Sequence, residues 1–314
     1  MNKSTNKEAL RIVFMGTPDF AVASLDALQK SDHQIVGVIT APDKPAGRGK
    51  KIRQSAIKVY AQENELITLQ PTNLKDQEFQ AELAGLGADL FVVVAFRMLP
   101  ETIWAMPPKG TINLHGSLLP DYRGAAPINW AVMNGDQETG VTTFFIEKEI
   151  DTGMVIAQEK MSIGSNESAG EVHDRMMVLG SAALVKTVDA IASDLIEPIP
   201  QTDLDTPMRK APKIFKPDCE IDWSKPAQEV HNHVRGLSPY PTAWTTAGDK
   251  TMKVFGGKIA MHLAEPPGKW IVNGDRLFVG CEDFGYELLE LQLEGKKRMA
   301  VKDFLLGSKS LFEI

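Results

Sequence analysis

Cysteines and long apolar runs are both scarce in this chain of 314 residues. Cys219 and Cys281 are too few for a cysteine-rich zinc site, although one disulfide between them stays open. The longest apolar run, residues 90–96, is far shorter than the roughly 18 to 20 residues that span a bilayer. The polar N-terminus does not resemble a signal peptide. We therefore expect a cytoplasmic protein with no membrane partner.

Positive charge is also in deficit, since the net charge is −7. An acidic chain of this kind is a poor candidate for indiscriminate nucleic-acid binding. The deficit lies in residues 1–207, which hold 18 Lys and Arg against 27 Asp and Glu, whereas residues 208–314 hold 16 against 14. Local basic patches can still bind a polyanion, so a nucleic-acid partner of a specific kind stays open.

The first half of the chain is predicted to alternate strands with helices. Its apolar runs have the length of buried strands, and their continuous apolar character is typical of a parallel sheet covered by helices on both faces. The pattern predicts an α/β fold with a Rossmann-like, doubly wound and mostly parallel sheet. Strands are expected at residues 10–14, 34–40 and 89–95, and a helix through Phe20, Leu25 and Leu28.

Five prolines between residues 198 and 217 mark the predicted domain boundary, because proline fixes φ and removes a backbone donor. We expect a catalytic domain over residues 1–197, an extended linker over 198–217 and a C-terminal domain over 218–314. In this last part, Asn273 and Gly274 separate two apolar runs, which predicts a β-hairpin. Short strands of this kind predict an OB-like β-barrel.

Asn113 and His115 stand near the end of a predicted strand within residues 111–120. Because side chains alternate along a strand, both fall on one face, at the edge where open α/β sheets bind ligands. Asp151 follows 36 residues after His115, and a carboxylate near that ring would orient it and favour its charged form. An amide, an imidazole and a carboxylate together suit acyl transfer. A histidine that only completes local packing is the alternative, and it stays open.

Two further absences bear on the reaction. Residues 11–28 lack the G-x-G-x-x-G pattern, which argues against a dinucleotide-dependent dehydrogenase. Ser117 lacks the G-x-S-x-G context of an activated nucleophile, and neither cysteine has a histidine at a suggestive spacing. The sequence therefore favours direct transfer to an external amine over a covalent acyl-enzyme.

Seven segments spread over nearly the whole chain resemble known sequences. They are residues 16–20, 42–50, 113–120, 123–127, 151–153, 221–223 and 239–244. The Asn-x-His pair with its later aspartate resembles the 10-formyltetrahydrofolate-dependent formyltransferases, which include enzymes that act on glycinamide ribonucleotide and on sugar nucleotides. The other segments narrow the resemblance to the methionyl-tRNA formyltransferase family.

This resemblance implies an activity and a set of site residues. The family transfers the formyl group of 10-formyltetrahydrofolate to the α-amino group of methionyl-initiator tRNA, giving N-formylmethionyl-tRNA for translation initiation. Asn113, His115 and Asp151 would form the catalytic trio, with the folate as formyl-donor co-substrate and no metal. The folate-binding residues implied are Ser117, Leu118, Leu119 and Pro120.

The pterin ring of the folate is expected near the end of residues 92–99, again by resemblance. Many relatives have Tyr-Gly where this chain has Phe96 and Arg97. We therefore expect the loop to differ locally from those relatives and the reaction to be the same.

A loop rich in glycine and basic residues, 43–53, has the composition of a flexible phosphate-binding segment. A second basic group lies in a predicted turn of the C-terminal domain. By composition alone, either group could be a solvated polar loop. The resemblance implies that the first loop inserts into the tRNA acceptor arm, with Arg48 matching its key arginine. The expected tRNA-binding residues are Lys44, Arg48, Lys50, Lys51 and Arg53 in the first group and Lys296, Lys297 and Arg298 in the second.

Two rival interpretations stay open at this point. A formyltransferase that acts on a sugar nucleotide would share the Asn-x-His and aspartate pattern, but it would have no need of the basic loop. A non-catalytic RNA-binding protein would have no need of an intact trio. The partners expected are initiator methionyl-tRNA and 10-formyltetrahydrofolate, and the protein is expected to be a monomer.

Overall fold

The computed structural model describes residues 8–46, 51–203 and 207–312. The chain divides into two compact units, each assembled from three stretches of sequence. Unit 1 comprises residues 1–124, 140–161 and 174–210, and unit 2 comprises residues 125–139, 162–173 and 211–314. Within the described residues, no helix has the length and apolar character needed to cross a membrane.

Strands and helices alternate through the first half of the described residues, and strands predominate from residue 243 onward. The strands are β1 Arg11–Gly16, β2 Gln34–Ile39, β3 Lys44–Ala46, β4 Lys51–Arg53, β5 Thr68–Leu69, β6 Leu90–Val94, β7 Thr111–His115, β8 Arg123–Gly124, β9 Glu138–Phe145, β10 Val155–Ser162, β11 Lys210–Ala211, β12 Ala243–Ala247, β13 Lys250–Ala260, β14 Trp270–Asn273, β15 Arg276–Gly280, β16 Gly285–Leu293 and β17 Met299–Ala300. The helices are α1 Asp19–Gln29, α2 Ala56–Glu63, α3 Gln77–Gly85, α4 Glu101–Trp104, α5 Pro127–Met133, α6 Ala169–Ala192, α7 Ala227–Leu237 and α8 Val301–Leu305.

Unit 1 is built on a sheet with the strand order β10-β9-β7-β6-β1-β2-β5. Strands β5, β2, β1, β6 and β7 pair in parallel, and β7 pairs antiparallel with β9. The central strand β6 is buried along its whole length, as expected for a parallel strand covered on both faces. The predicted Rossmann-like, mostly parallel sheet is therefore confirmed, and the predicted strands correspond to β1, β2 and β6.

Different helices cover the two faces of this sheet. On one face, Phe91 of β6 shares a buried cluster with Phe79 of α3 and Ile103 of α4. On the other face, Leu114 of β7 packs against α6 at Gly180. A Cβ placed on Gly180 would lie 3.0 Å from the Leu114 side chain, so a small residue is needed for this approach. Helices thus cover β6 on one face of the sheet and β7 on the other.

Unit 2 contains an antiparallel sheet with the order β12-β13-β16-β15-β14, and β17 pairs with β16. Helix α7 packs its apolar side, including the fully buried Val234, into the core of this unit. Strands β14 and β15 form the predicted hairpin, with Asn273 paired to Arg276 and the turn at Gly274 and Asp275. Gly274 has a φ of 65°, in the left-handed region that favours glycine. The predicted C-terminal β domain is confirmed as this antiparallel sheet.

The proline-rich stretch 198–217 is more structured than an extended tether. It contains a 3₁₀ turn at Gln201–Asp203, strand β11 and the start of a second 3₁₀ turn at Pro217–Cys219. Gln201 and Ala211 are buried within it. Proline prevents long helices and interior strands, but the residues between prolines remain free to form single turns and to donate hydrogen bonds. The prolines therefore explain why this stretch is irregular, but they do not make it exposed.

Candidate active site

The C-terminal end of β7 carries two polar side chains on one face of the unit 1 sheet. Asn113 and His115 alternate with Ile112 and Leu114, and Leu114 faces α6. Asn113 is the parallel register partner of Val93, so the two polar side chains lie on the face that also carries α3 and α4. His115 is 7% exposed and Asn113 is half-buried. Within the described residues, the Asn113 amide forms no hydrogen bond, so its donors are available to a ligand.

The tautomer of the neutral His115 ring is determined by a backbone carbonyl. Its Nε2 lies 2.9 Å from the carbonyl oxygen of Tyr122. A carbonyl oxygen only accepts hydrogen bonds, so Nε2 carries a hydrogen and donates it. The other nitrogen, Nδ1, lies 3.9 Å from Oδ2 of Asp151. In the neutral ring Nδ1 is therefore the basic atom, and any added proton resides there, facing a carboxylate.

Asp151 is positioned by an unusual loop backbone. Its φ is 55°, in the left-handed region that non-glycine residues seldom adopt. The backbone N–H of Gly124 donates to Asp151 Oδ2 at 2.9 Å. Two residues later, a Cβ on Gly153 would lie 1.7 Å from the carbonyl oxygen of Phe145, so only glycine fits there. These constraints hold the Asp151 carboxylate beside His115. Of the three predicted catalytic residues, the structure therefore places His115 and Asp151 next to each other. Asn113 lies on the same face of β7 as His115.

The segment after His115 is fixed by hydrogen bonds of its own. Ser117 Oγ donates to the carbonyl of Asp121 at 2.6 Å, and the Leu119 N–H donates to Thr142 Oγ1 at 3.0 Å. Ser117, Leu119 and Pro120 are buried, and Leu118 is half-buried. Of the four predicted folate-binding side chains, Leu118 is the one that leaves surface open to a ligand.

Family models match both parts of the chain. The model described as formyl transferase matches residues 10–188, and the model described as formyl transferase, C-terminal domain matches residues 213–309. Methionyl-tRNA formyltransferase of Bacteroides thetaiotaomicron is 51% identical over 310 residues, and that of Flavobacterium johnsoniae is 50% identical over 306 residues. Each match covers 96% of this chain and 96% of the relative. This chain belongs to the methionyl-tRNA formyltransferase family.

Solved structures of lower identity share the fold. HypX from Aquifex aeolicus in complex with tetrahydrofolic acid has a TM-score of 0.67 at 16% identity. That match covers 96% of this chain, which spans only 47% of the HypX chain. An N-formyltransferase from Helicobacter canadensis, in complex with folinic acid and dTDP-3-aminofucose, also has a TM-score of 0.67, at 19% identity, with 89% and 98% of the two chains covered. These neighbours confirm the formyltransferase fold.

The basic loop that the family resemblance singled out is only partly described. Strands β3 and β4 form an antiparallel hairpin in which Lys44 pairs with Arg53, and both side chains are exposed. Arg48 and Lys50 lie outside the described residues, and so does the side chain of Lys51. Within the described part, no hydrogen bond or ion pair joins Lys44 or Arg53 to the His115 pair. Their role in tRNA binding stays a prediction.

The basic group in unit 2 lies on an exposed turn between β16 and β17. Arg298 donates to both oxygens of Glu290, at 2.7 and 2.6 Å, and these hydrogen bonds raise the pKa of the guanidinium. Lys296 donates to Ser308 Oγ at 3.1 Å. Lys297 is exposed and forms no hydrogen bond or ion pair with any described residue. The three predicted side chains therefore differ in how freely they could bind a phosphate.

The loop that departs from the Tyr-Gly of many relatives is held by its own arginine. Arg97 donates to the carbonyls of Pro71 and Thr72, the latter at 3.1 Å, and its guanidinium lies 5.5 Å from the ring centroid of Phe96. Burial lowers the pKa of Arg97. Arg97 thus fastens the segment after β6 to the segment after β5. In the described residues, no group of three His, Cys, Asp or Glu side chains is arranged to hold a metal ion.

Residues that sequence reasoning missed surround the His115 pair. The Tyr122 carbonyl that sets the histidine tautomer is a backbone atom, so no side-chain motif could reveal it. Gln201 and Arg123 form a hydrogen-bonded pair next to Asp151. Arg123 is part of a segment that resembles the family, which was a usable signal. Gln201 lies in the stretch predicted to be a linker, and no sequence pattern marked it.

Proposed function

We propose that this chain transfers the formyl group of 10-formyltetrahydrofolate to the α-amino group of methionine on initiator tRNA. The bond from the amine nitrogen to the formyl carbon forms as the bond from that carbon to N10 of the folate breaks. One proton leaves the amine and one is gained by N10. Membership of the methionyl-tRNA formyltransferase family supports the reaction, and the pairing of His115 Nδ1 with Asp151 is the observation on which its chemistry rests.

His115 and Asp151 supply the proton chemistry in this proposal. The Nδ1 to Oδ2 distance of 3.9 Å is longer than a direct hydrogen bond, so Asp151 acts through its charge or through one bridging water. A hydrogen on Nδ1 would face the carboxylate without forming a direct hydrogen bond to it. It remains free to donate to a substrate oxygen, and Asp151 can receive the amine proton through water.

Asn113 is assigned to the negative charge that develops on the formyl oxygen during attack. Its amide lies on the same strand face as His115 and has no hydrogen bond to another described residue. A donor that is held in place before the reaction costs no reorganisation when the charge appears. A neutral α-amine is available at pH 7, because the pKa of an α-amino group is about 8.

The folate is placed next to residues 117–120, which continue directly from His115. Leu118 offers the half-buried apolar side chain in this segment, whereas Ser117 uses its hydroxyl hydrogen on Asp121. We assign Leu118 and the backbone of this segment to contact with the folate, and Ser117, Leu119 and Pro120 to holding the segment in shape. Apolar contact combined with a few fixed polar atoms is typical of small-molecule sites.

The acceptor is assigned to the basic groups within residues 44–53 and 296–298, which would neutralise tRNA phosphates. We place the protein in the cytoplasm as a monomer, with a catalytic domain over residues 1–197 and a tRNA-binding domain over 218–314. The free and buried state of Cys219 and Cys281 suits a reducing compartment. Sedimentation of the purified chain with and without tRNA tests the monomer.

The test of the activity follows a labelled formyl group. The purified chain is mixed with 10-formyltetrahydrofolate carrying label in the formyl carbon and with methionyl-initiator tRNA. Label is expected on the methionine of that tRNA and at a much lower rate on methionyl-elongator tRNA. No label is expected on uncharged tRNA, which carries no α-amine. Rates should fall steeply between 50 and 200 mM salt if tRNA phosphates are bound, as is general for nucleic-acid binding at about 6–10 phosphate contacts.

A nucleotide-linked amino sugar is the competing acceptor to include. Label on that sugar and none on methionyl-tRNA would overturn the proposal in favour of a sugar formyltransferase. Absence of label on every acceptor, with the folded chain and intact donor present, would contradict enzymatic transfer altogether.

A further inference from the structure

The side chain of Gln201 lies at the centre of a hydrogen-bond network beside the His115 pair. It is 4% exposed. Its Nε2 donates to the carbonyls of Asp151 and Gly153, both at 2.9 Å, and its Oε1 accepts from Nε and a terminal nitrogen of Arg123 at 3.0 and 2.6 Å. The two donors and the two acceptor sites of the amide are all used. No motif and no step of the proposed reaction accounts for this arrangement.

The orientation of the Gln201 amide is unambiguous. Backbone carbonyls only accept and a guanidinium only donates, so Nε2 must face the loop of Asp151 and Oε1 must face Arg123. A glutamine that only filled space would not need both ends in one defined direction. The amide therefore joins two specific pieces of backbone.

Those two pieces are the ones that hold His115 and Asp151. Arg123 lies between Tyr122, whose carbonyl accepts from His115 Nε2, and Gly124, whose N–H donates to Asp151. On the other side, Gln201 fixes the carbonyl of Asp151 itself, whose backbone is in the left-handed region. A strained conformation of this kind persists only when its surroundings determine it.

We propose that Gln201 is a positioning residue that sets the distance between the Asp151 carboxylate and His115 Nδ1. It acts by tying the loop 151–153 to the segment 122–124. The inference rests on the proposed function, since it assigns Gln201 to the same formyl transfer. Gln201 touches no reacting atom, so it acts only through Asp151 and His115.

Two substitutions test the proposal. Gln201→Glu keeps an acceptor for Arg123 but presents no donor to the two carbonyls, and Gln201→Asn keeps the amide but is one methylene too short to reach both sides. Each should lower kcat about 10- to 100-fold, the scale expected for a displacement of about 1 Å in a catalytic group, with little change in KM for either substrate. The pH at which kcat changes should also shift, because the charge environment of His115 is altered.

The matched control is Gln80, a half-buried glutamine of α3 whose Nε2 donates to the Leu74 carbonyl at 3.0 Å and to Thr102 Oγ1 at 2.9 Å. Gln80→Glu and Gln80→Asn remove comparable hydrogen bonds far along the chain from His115. They should leave kcat and its pH profile unchanged. Melting temperatures and circular dichroism of all four variants establish that folded protein is being compared.

A double-mutant cycle decides whether Gln201 acts through Asp151. In an Asp151→Asn background, Gln201→Glu should cause almost no further loss of kcat. Three results would overturn the proposal, because each would make Gln201 a residue that only supports the fold. They are the same fractional loss of kcat in both backgrounds, an unchanged pH profile of kcat, and failure of both Gln201 variants to fold. If the unsubstituted chain forms no formylmethionyl-tRNA, the proposed function fails instead, so the two failures are distinguishable.

Discussion

His115 of unit 1 and His231 of unit 2 are both buried, and the two rings are held alike at one nitrogen. In unit 1, Nε2 of His115 donates to the carbonyl of Tyr122 at 2.9 Å. In unit 2, Nε2 of His231 lies 3.3 Å from the carbonyl of Ser165, to which it likewise can only donate. Each neutral ring therefore has its hydrogen on Nε2 and its lone pair on Nδ1.

The difference between the rings lies at Nδ1. His115 faces the carboxylate of Asp151, whereas His231 lies 3.3 Å from the hydroxyl of Tyr286, which donates to it. Burial lowers the pKa of His231, and the positive charge of Arg235 on the same helix lowers it further. Among the described residues, no carboxylate contacts the ring of His231, whereas Asp151 faces Nδ1 of His115. The two sites therefore differ in the group that faces Nδ1, which is a carboxylate at His115 and a neutral hydroxyl at His231.

The largest expected effect comes from removing either member of the unit 1 pair. His115→Ala and, separately, Asp151→Ala should lower kcat about 10²- to 10⁴-fold, the range typical of a lost general acid–base group. Single-turnover formylation of methionyl-tRNA measures the loss, with circular dichroism to confirm folding. His231→Gln is the matched control, and the kcat of this variant at pH 7.5 should equal that of the unsubstituted chain. Near-normal turnover of either unit 1 variant would refute the role assigned to that residue.

The site is predictable from sequence to the extent that it depends on local pattern. The Asn-x-His spacing and the alternation of side chains along a strand are enough to put Asn113 and His115 on one face of β7. The Tyr122 carbonyl could not be predicted, because its position depends on how the chain turns after β7. Nor could Gln201, which comes 50 residues after Asp151 and meets it only through tertiary folding.

The buried state of His231 could not be predicted either, because it depends on tertiary contacts. The fold class could be predicted, because it depends on local sequence patterns. The apolar runs of unit 1 and the turn signal at Asn273 and Gly274 specify strands locally, so the parallel sheet and the hairpin were predicted. The basic side chains at 296–298 were equally visible as a group. However, the pairing of Arg298 with Glu290 depends on strands that meet across the sheet. Composition does not contain that information.

A smaller effect tests the neutral histidine of unit 2. Because the pKa of His231 is lowered in the folded chain, the unfolded chain binds its proton first as pH falls. The stabilisation is present above the unfolded pKa of about 6.5 and is lost as pH falls through that value towards the lowered folded pKa. The melting temperature should therefore decrease between pH 7.5 and 5.5.

Calorimetry of the full chain at several pH values measures this decrease. In His231→Gln the decrease should be shallower, though still present, because burial also lowers the pKa of His233. His262→Gln, which replaces an exposed histidine, is the control variant for this measurement. A curve for His231→Gln that runs parallel to that of the unsubstituted chain would show that His231 does not contribute to the acid sensitivity.

The smallest effect concerns the basic turn of unit 2, residues 296–298, which we propose to bind tRNA phosphates. The charges of Arg298 and Glu290 largely cancel each other, since the guanidinium donates to both carboxylate oxygens, whereas Lys297 has no partner among the described residues. Lys297→Ala should therefore raise KM for methionyl-tRNA and reduce the slope of log KM against log salt by about one, with kcat unchanged.

The double variant Glu290→Gln with Arg298→Ala removes a pair of opposite charges that has no net charge. It should change KM little, because an exposed ion pair contributes only about 0–1 kcal/mol. If the double variant instead weakens tRNA binding as much as Lys297→Ala and reduces the salt slope equally, Arg298 leaves Glu290 to bind a phosphate, and the pair seen in the free chain is a resting contact that tRNA replaces.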